Sequence, residues 1–89
     1  MRALRFSTRF QKDVKLCRKQ GKDLNKLEKV LEILKSGESI PAQYKDHPLH
    51  NNWVGHRDLH IESDWILIYK IQDNEIVLLA ATGTHTHVL

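Results

Sequence analysis

Three stretches of this sequence gather side chains able to move protons near neutral pH. Tyr44-Lys45-Asp46-His47-Pro48-Leu49-His50, Arg57-Asp58-Leu59-His60-Ile61-Glu62-Ser63-Asp64-Trp65 and Thr82-Gly83-Thr84-His85-Thr86-His87 hold five of the six histidines. Imidazoles with carboxylates nearby suit general acid–base chemistry on an anionic substrate. His60 falls on the polar side of an alternating segment, and Asp64 opens the next segment across a tight Glu62-Ser63 connection. A hairpin there would bring them together, and a carboxylate raises the pKa of a neighbouring imidazole and fixes its tautomer. His85 follows Thr82-Gly83-Thr84, where the glycine permits a bend and the threonine hydroxyls could reach a phosphate. His47 is held extended by the proline after it.

Competing uses of these residues carry less support. A zinc site drawn from His47, His50, His60 and Asp64, or from His85 and His87, is chemically conceivable. No Cys-x-x-Cys or His-Glu-x-x-His spacing accompanies it, so neither metal nor cofactor is expected. Phosphate-binding glycine loops and nucleophile elbows are absent, which removes nucleotide-cofactor and acyl-transfer readings. His50 and His56 receive no role, and His87 reads as a frayed end. Trp53 and Trp65 are more often packing than base platforms; Trp65, beside Asp64, is the one to test for stacking on a nucleobase.

The elements that must position these groups follow from periodicity. Ala3-Leu4-Arg5-Phe6 alternates like a short strand, and Ser7-Thr8 offers capping hydroxyls for a helix running to about Gln20. Phe10, Val14 and Cys17 share one arc of that helix, with Lys12, Lys15 and Lys19 opposite. Gly21 ends it and Asp23 caps a second helix with Leu24, Leu27, Leu31 and Leu34 on one side, closed by Ser36-Gly37. Residues 36–53 read as a long functional loop. Leu59 and Ile61 face a core while Asp58, His60 and Glu62 face water; Trp65 to Ile71 is a central strand; Gln72-Asp73-Asn74-Glu75 turns into a last strand, Ile76 to Ala81. The expectation is an α+β fold: a strand, a two-helix hairpin, then a three-stranded antiparallel meander, with the helices on one face of the sheet.

Eighty-nine residues at 40% hydrophobic content make a single domain, residues 1–89, with little room for an enclosed pocket. A shallow groove for a polymer fits better. Charge is divided along the chain. Residues 1–35 carry eleven lysines and arginines against four carboxylates, a net of +7, whereas residues 36–89 carry three against seven and all six histidines, a net of −4. The basic half suits attraction to nucleic acid or to an acidic protein, and the second half would carry the chemistry. One cysteine, no signal-like segment and no long apolar run imply a cytoplasmic protein with no membrane partner.

Taken together, Tyr44-Lys45-Asp46-His47-Pro48-Leu49, the run from Arg57 to Tyr69 and Thr82-Gly83-Thr84-His85 resemble the YafQ branch of the RelE/ParE toxin superfamily. Lys12-Asp13-Val14-Lys15 and Asp23-Leu24-Asn25-Lys26-Leu27 extend the resemblance over nearly the whole chain. It implies a RelE-like fold and a metal-independent, ribosome-dependent endoribonuclease, the toxin of a bacterial type II toxin–antitoxin pair, cutting messenger RNA in the ribosomal A site. The family's active-site positions fall on His47, His60, Asp64 and His85, with Trp65 beside them. On this reading His85 is the general acid, His60 oriented by Asp64, or Asp64 itself, is the base, and His47 stabilises the phosphorane. Lys45, Arg57 and Thr84 would help bind substrate. Lys12, Lys15, Lys19 and Lys22 would meet ribosomal RNA, and an acidic antitoxin would wrap the toxin.

Two positions depart from the family. Ala81 stands where relatives carry an arginine that neutralises phosphate charge, which implies an attenuated site unless Lys45 or Arg57 substitutes. Leu89 replaces a terminal aromatic. The alternatives are a ParE-like gyrase inhibitor or a non-catalytic nucleic-acid-binding module of the same fold. Retention of His47, His60, Asp64 and His85 argues against the gyrase inhibitor, whereas Ala81 keeps the non-catalytic module open.

Overall fold

Ser7 separates an opening strand, β1 (Ala3–Phe6), from a first helix, α1 (Thr8–Lys19), in a computed structural model that describes residues 1–89. Its Oγ accepts the Phe10 N–H at 3.0 Å, satisfying a helix-start donor that has no intrahelical partner. The second helix, α2 (Leu24–Ser36), begins in the same way: Asp23 Oδ1 accepts the Asn25 N–H at 3.0 Å. Gly37 then takes the left-handed φ of 80° that ends it. Both helices stand where their capping residues and leucine spacing predict.

The sheet has five strands, in the order β1-β5-β4-β3-β2. Its centre is the expected meander, β3 (Arg57–Glu62), β4 (Trp65–Gln72) and β5 (Ile76–Gly83), paired antiparallel. Two strands flank it. β1 lies parallel to Ile76–Leu79 of β5, and β2 (His47–Pro48) pairs antiparallel with Arg57 and Asp58. The stretch 36–53 is therefore not an unstructured loop, because it lays a strand on the sheet edge between two single helical turns at Ala42–Tyr44 and Asn51–Trp53.

Alternation along the strands divides the side chains between two faces. Leu59, Ile61, Trp65, Leu67, Tyr69, Val77 and Leu79 meet Phe10, Cys17, Leu27, Val30 and Leu34 from α1 and α2 in the main core. Each such fully buried aliphatic side chain stabilises the fold by about 1.5–3 kcal/mol. Ile66, Ile68 and Ala81 point the other way and are covered by Val88, Leu49 and Trp53. Val88 belongs to a short third helix, α3 (His85–Val88), not foreseen in the sequence. Helices thus cover both faces, since Thr84 caps a new turn and folds the chain back over β5.

Candidate active site

Strand register brings the predicted histidines together on the α3 side of the sheet. His47 pairs directly with Asp58, which pairs with Ile68 and, beyond it, Ala81; in the adjacent row His60 pairs with Ile66 and then Gly83. Cross-strand partners share a face, so His47, Asp58 and His60 emerge side by side. His85, carried past Gly83 into α3, approaches from the end of β5. The His60 ring centroid lies 5.9 Å from that of His47 and 5.2 Å from that of His85. All three rings remain partly accessible.

Each imidazole has a defined orientation. His47 Nδ1 sits 2.8 Å from the Lys45 carbonyl, which can only accept, so Nδ1 carries the hydrogen and Nε2 turns to Asp58 Oδ2 at 3.5 Å. His60 Nε2 lies 3.8 Å from the same oxygen. His85 Nδ1 and the His85 main-chain N–H both lie 3.2 Å from Asp64 Oδ1, leaving His85 Nε2 free to give or take a proton. The two carboxylates respond oppositely. Burial pushes the Asp58 carboxyl above its usual range, with His60 and His47 pulling it back. Hydrogen bonds from His85, main chain first, hold the exposed Asp64 carboxyl below it.

Several sequence expectations change at this point. Asp64 orients His85, not His60: the β3–β4 ladder shifts register between His60 and Glu62, and the hairpin turn carries Asp64 to the end of β5. The carboxylate beside His60 is Asp58, expected on a wet face but only 2% exposed because β2 and His47 cover it. Alternation with His60 was the available signal for Asp58, and the edge strand that buries it was not legible. Trp65 is 1% exposed and faces the main core, its Nε1 donating to Thr82 Oγ1 at 3.0 Å; that closes it to base stacking. Arg57 clamps Asp46 through Nε at 3.0 and 3.2 Å and Nη2 at 3.0 Å, and the Tyr69 hydroxyl also donates to Asp46. Arg57 therefore braces the residue before His47 and is not a free substrate cation. Thr84 Oγ1 accepts the His87 N–H at 3.2 Å, capping α3. Lys45 is exposed and takes a left-handed φ of 50°.

Ala81 lies on the site face but is fully buried beneath Val88. Lys12, Lys15 and Lys19 are exposed along α1, whereas Lys22 is half-buried with its Nζ 5.9 Å from the Trp65 ring centroid, away from that stripe. His87, expected to be frayed, holds Asp13 Oδ1 through Nε2 at 2.9 Å. His50 is exposed, and the His56 ring meets Trp53 edge-on at 5.2 Å.

One subset of the site also fits a metal. Donor atoms of His47, Asp58 and His60 lie within 4.8 Å of one another, and buried Asp58 Oδ1 has no hydrogen-bond partner. Tetrahedral ligands at ~2 Å from a zinc ion stand about 3.3 Å apart, close to the 3.5 and 3.8 Å separations around Asp58 Oδ2. No metal was expected from the sequence, which lacks a spacing motif because the three ligands meet through strand pairing.

Three facing imidazoles, each with a ring nitrogen within 4 Å of a carboxylate oxygen, on an open sheet face can donate and accept protons around a phosphodiester. The profile of the YafQ toxins of bacterial type II toxin–antitoxin systems matches residues 2–89. The chain belongs to this family. The mRNA interferase toxin YafQ of Escherichia coli strain B is 48% identical over 85 residues, covering 94% of this chain and 91% of that protein. The crystal structure of E. coli YafQ superposes with a TM-score of 0.94 at 44% identity, covering 100% of this chain and 99% of that one. YafQ in its complex with DinJ gives a TM-score of 0.90 at 46% identity, over 100% and 99% of the two chains. A metal-bound toxin from Helicobacter pylori gives 0.91 at 33% identity, over the whole of both chains. The family places the histidine cluster in a toxin scaffold, and the five-stranded mixed sheet is shared with the YafQ structures.

Proposed function

We propose that this YafQ-family protein is a ribosome-dependent mRNA endoribonuclease that cleaves without a metal. The observation that carries the reading is the convergence of His47, His60 and His85 on one accessible face, with Asp58 beside His47 and His60 and Asp64 hydrogen-bonded to His85. Its relatives' designation as mRNA interferases supports the substrate class.

The ribose 2′-hydroxyl loses its proton to His60, whose partner Asp58 stabilises the resulting imidazolium. The oxygen attacks the adjacent phosphorus in line, giving a 2′,3′-cyclic phosphate. His85, donating from Nε2 while Asp64 holds Nδ1, protonates the departing 5′-oxygen. His47 stabilises charge on the phosphorane. Asp64 itself is a poor base, because the His85 hydrogen bonds that depress its pKa favour its ionised, proton-free form. A 2′,3′-cyclic phosphate on the cleaved message and a pH–rate profile with two titrating limbs test this scheme; 3′-hydroxyl ends or a single limb would contradict it.

Three features extend the reading. The exposed Lys12, Lys15 and Lys19 stripe offers phosphate contacts to ribosomal RNA. An acidic antitoxin segment is the expected neutralising partner; E. coli YafQ forms a toxin–antitoxin complex with DinJ. No helix is long and apolar enough to cross a membrane. Ala81, where the family arginine would stand, leaves phosphate charge less compensated and the site attenuated.

A second occupant of the site is suggested by the Helicobacter toxin. Zinc or copper on His47, Asp58 and His60 would place a cation on the proposed base and on the group that stabilises the phosphorane, so a bound metal would suppress cleavage. Titration calorimetry should show one zinc per chain, lost in Asp58→Asn, with cleavage falling as zinc binds; unaltered binding in that variant would remove this reading.

A further inference from the structure

α3 is a single turn of four residues, too short to hold itself by propensity, yet it carries His85. Its internal main-chain bonds are Val88 N–H to Thr84 O at 3.0 Å and Leu89 N–H to His85 O at 2.8 Å. What fixes it must come from elsewhere. Val88 packs on the sheet over Ala81, Asp64 in the β3–β4 turn accepts the His85 main-chain N–H at 3.2 Å, and the remaining anchors come from α1.

Those anchors converge on Asp13, which is 5% exposed and therefore needs partners for its carboxylate. Strand β1 covers only Ile76–Leu79 of β5, leaving the next stretch of that strand edge without a partner strand. Asp13 Oδ2 fills this gap by accepting the buried Thr82 N–H at 3.1 Å. Its other oxygen, Oδ1, accepts from His87 Nε2 at 2.9 Å. Arg9 closes the group, with Nε 3.5 Å from Asp13 Oδ2 and Nη2 donating to the His87 carbonyl at 3.3 Å. Gly83 leaves just enough space for this packing, since a Cβ there would stand 3.0 Å from His87 Cδ2.

We propose that His87 is a positioning residue of the nuclease site: through Asp13 it pins α3 to α1 and so sets where His85 meets Asp64 and His60. One carboxylate ties the strand residue before the Gly83 bend and the helix residue after it, so the angle at which His85 leaves the sheet is fixed on both sides. His47 has a counterpart in Asp46, the preceding residue, which Arg57 and Tyr69 hold. His47 and His85, the cluster histidines borne outside the central strands, are therefore each anchored by a near neighbour in sequence. The Asp13–His87 anchor joins residues 74 positions apart, so it also couples α1 to the site.

This inference rests on the nuclease reading for its kinetic consequence only. In His87→Ala, kcat on ribosome-bound message should fall about tenfold or more while KM stays within about twofold, the signature of a misplaced catalytic group. His87→Gln, whose amide can still donate to Asp13, should recover most of that loss, and Thr86→Ala, in the same turn but exposed, should match the parent. In parallel, the His85 imidazole resonances should move in His87→Ala and return in His87→Gln. The NMR arm needs no RNA and reports even if the protein cleaves none. Parental kcat with unmoved His85 resonances in His87→Ala overturns the proposal, as does equal loss in the alanine and glutamine variants. If His87→Ala does not fold, Asp13→Asn in the His87→Gln background supplies the test: unmoved His85 resonances there likewise overturn it.

Discussion

His85 presents its main-chain N–H and its Nδ1 to a single oxygen of Asp64, each at 3.2 Å. The pair spans the end of β5 and the β3–β4 turn, so the orientation of the imidazole is set by an acceptor on a different strand pair. Asp64→Ala should leave the ring free to rotate and lower kcat about 10–100-fold, the range for losing an orienting partner. In the parent, His85 holds the Asp64 carboxyl below its ordinary value of 3.8. The contact therefore contributes above that value and is lost as pH falls through the depressed one.

Asp58 is the reverse case. Burial raises its pKa, so ionisation burdens the folded state: the penalty is absent below the ordinary value of 3.8 and complete once pH exceeds the raised folded value. Asp58→Asn removes the charge and should raise Tm by a few degrees at neutral pH, as ~1 kcal/mol does in a domain of this size, while nuclease activity collapses. Calorimetry at acidic and neutral pH checks both the size and the direction: the gain should vanish in acid.

Trp65→Phe should keep cleavage in the folded protein but cost about 1 kcal/mol, because the indole donates to buried Thr82 and packs in the core. Denaturant unfolding together with kcat/KM separates this from a stacking role, which predicts lost affinity for message at unchanged stability.

Ala81→Arg should raise cleavage about tenfold while lowering Tm, because the guanidinium restores phosphate neutralisation yet must displace Val88 to reach the site face. Unchanged cleavage would show that the alanine does not attenuate the enzyme.

Local signals in the sequence recovered the helices and the meander because their causes are local: Ser7 and Asp23 are capping residues, and alternation from Arg57 to Glu62 assigns faces. His60 was placed correctly for that reason. What was misread depends on partners far along the chain. Asp58 is buried by a two-residue edge strand carrying His47, with no periodicity to announce it. Trp65 turns inward because the β4 face it shares with Leu67 and Tyr69 is covered by α1 and α2. β1 joins the far edge in parallel with β5, and Asp13 reaches across 74 positions to His87. Those pairings are set by tertiary packing that one sequence does not display.

The central claim is that the histidine cluster cleaves message on the ribosome, and primer extension on an mRNA in a translating extract tests it most directly. The account predicts discrete cuts at particular codons with this chain, none without translating ribosomes, and a loss of at least about 100-fold in His85→Ala. Undiminished cuts in His85→Ala, or no cuts with either the parent or Ala81→Arg under conditions where the protein binds ribosomes, would contradict it.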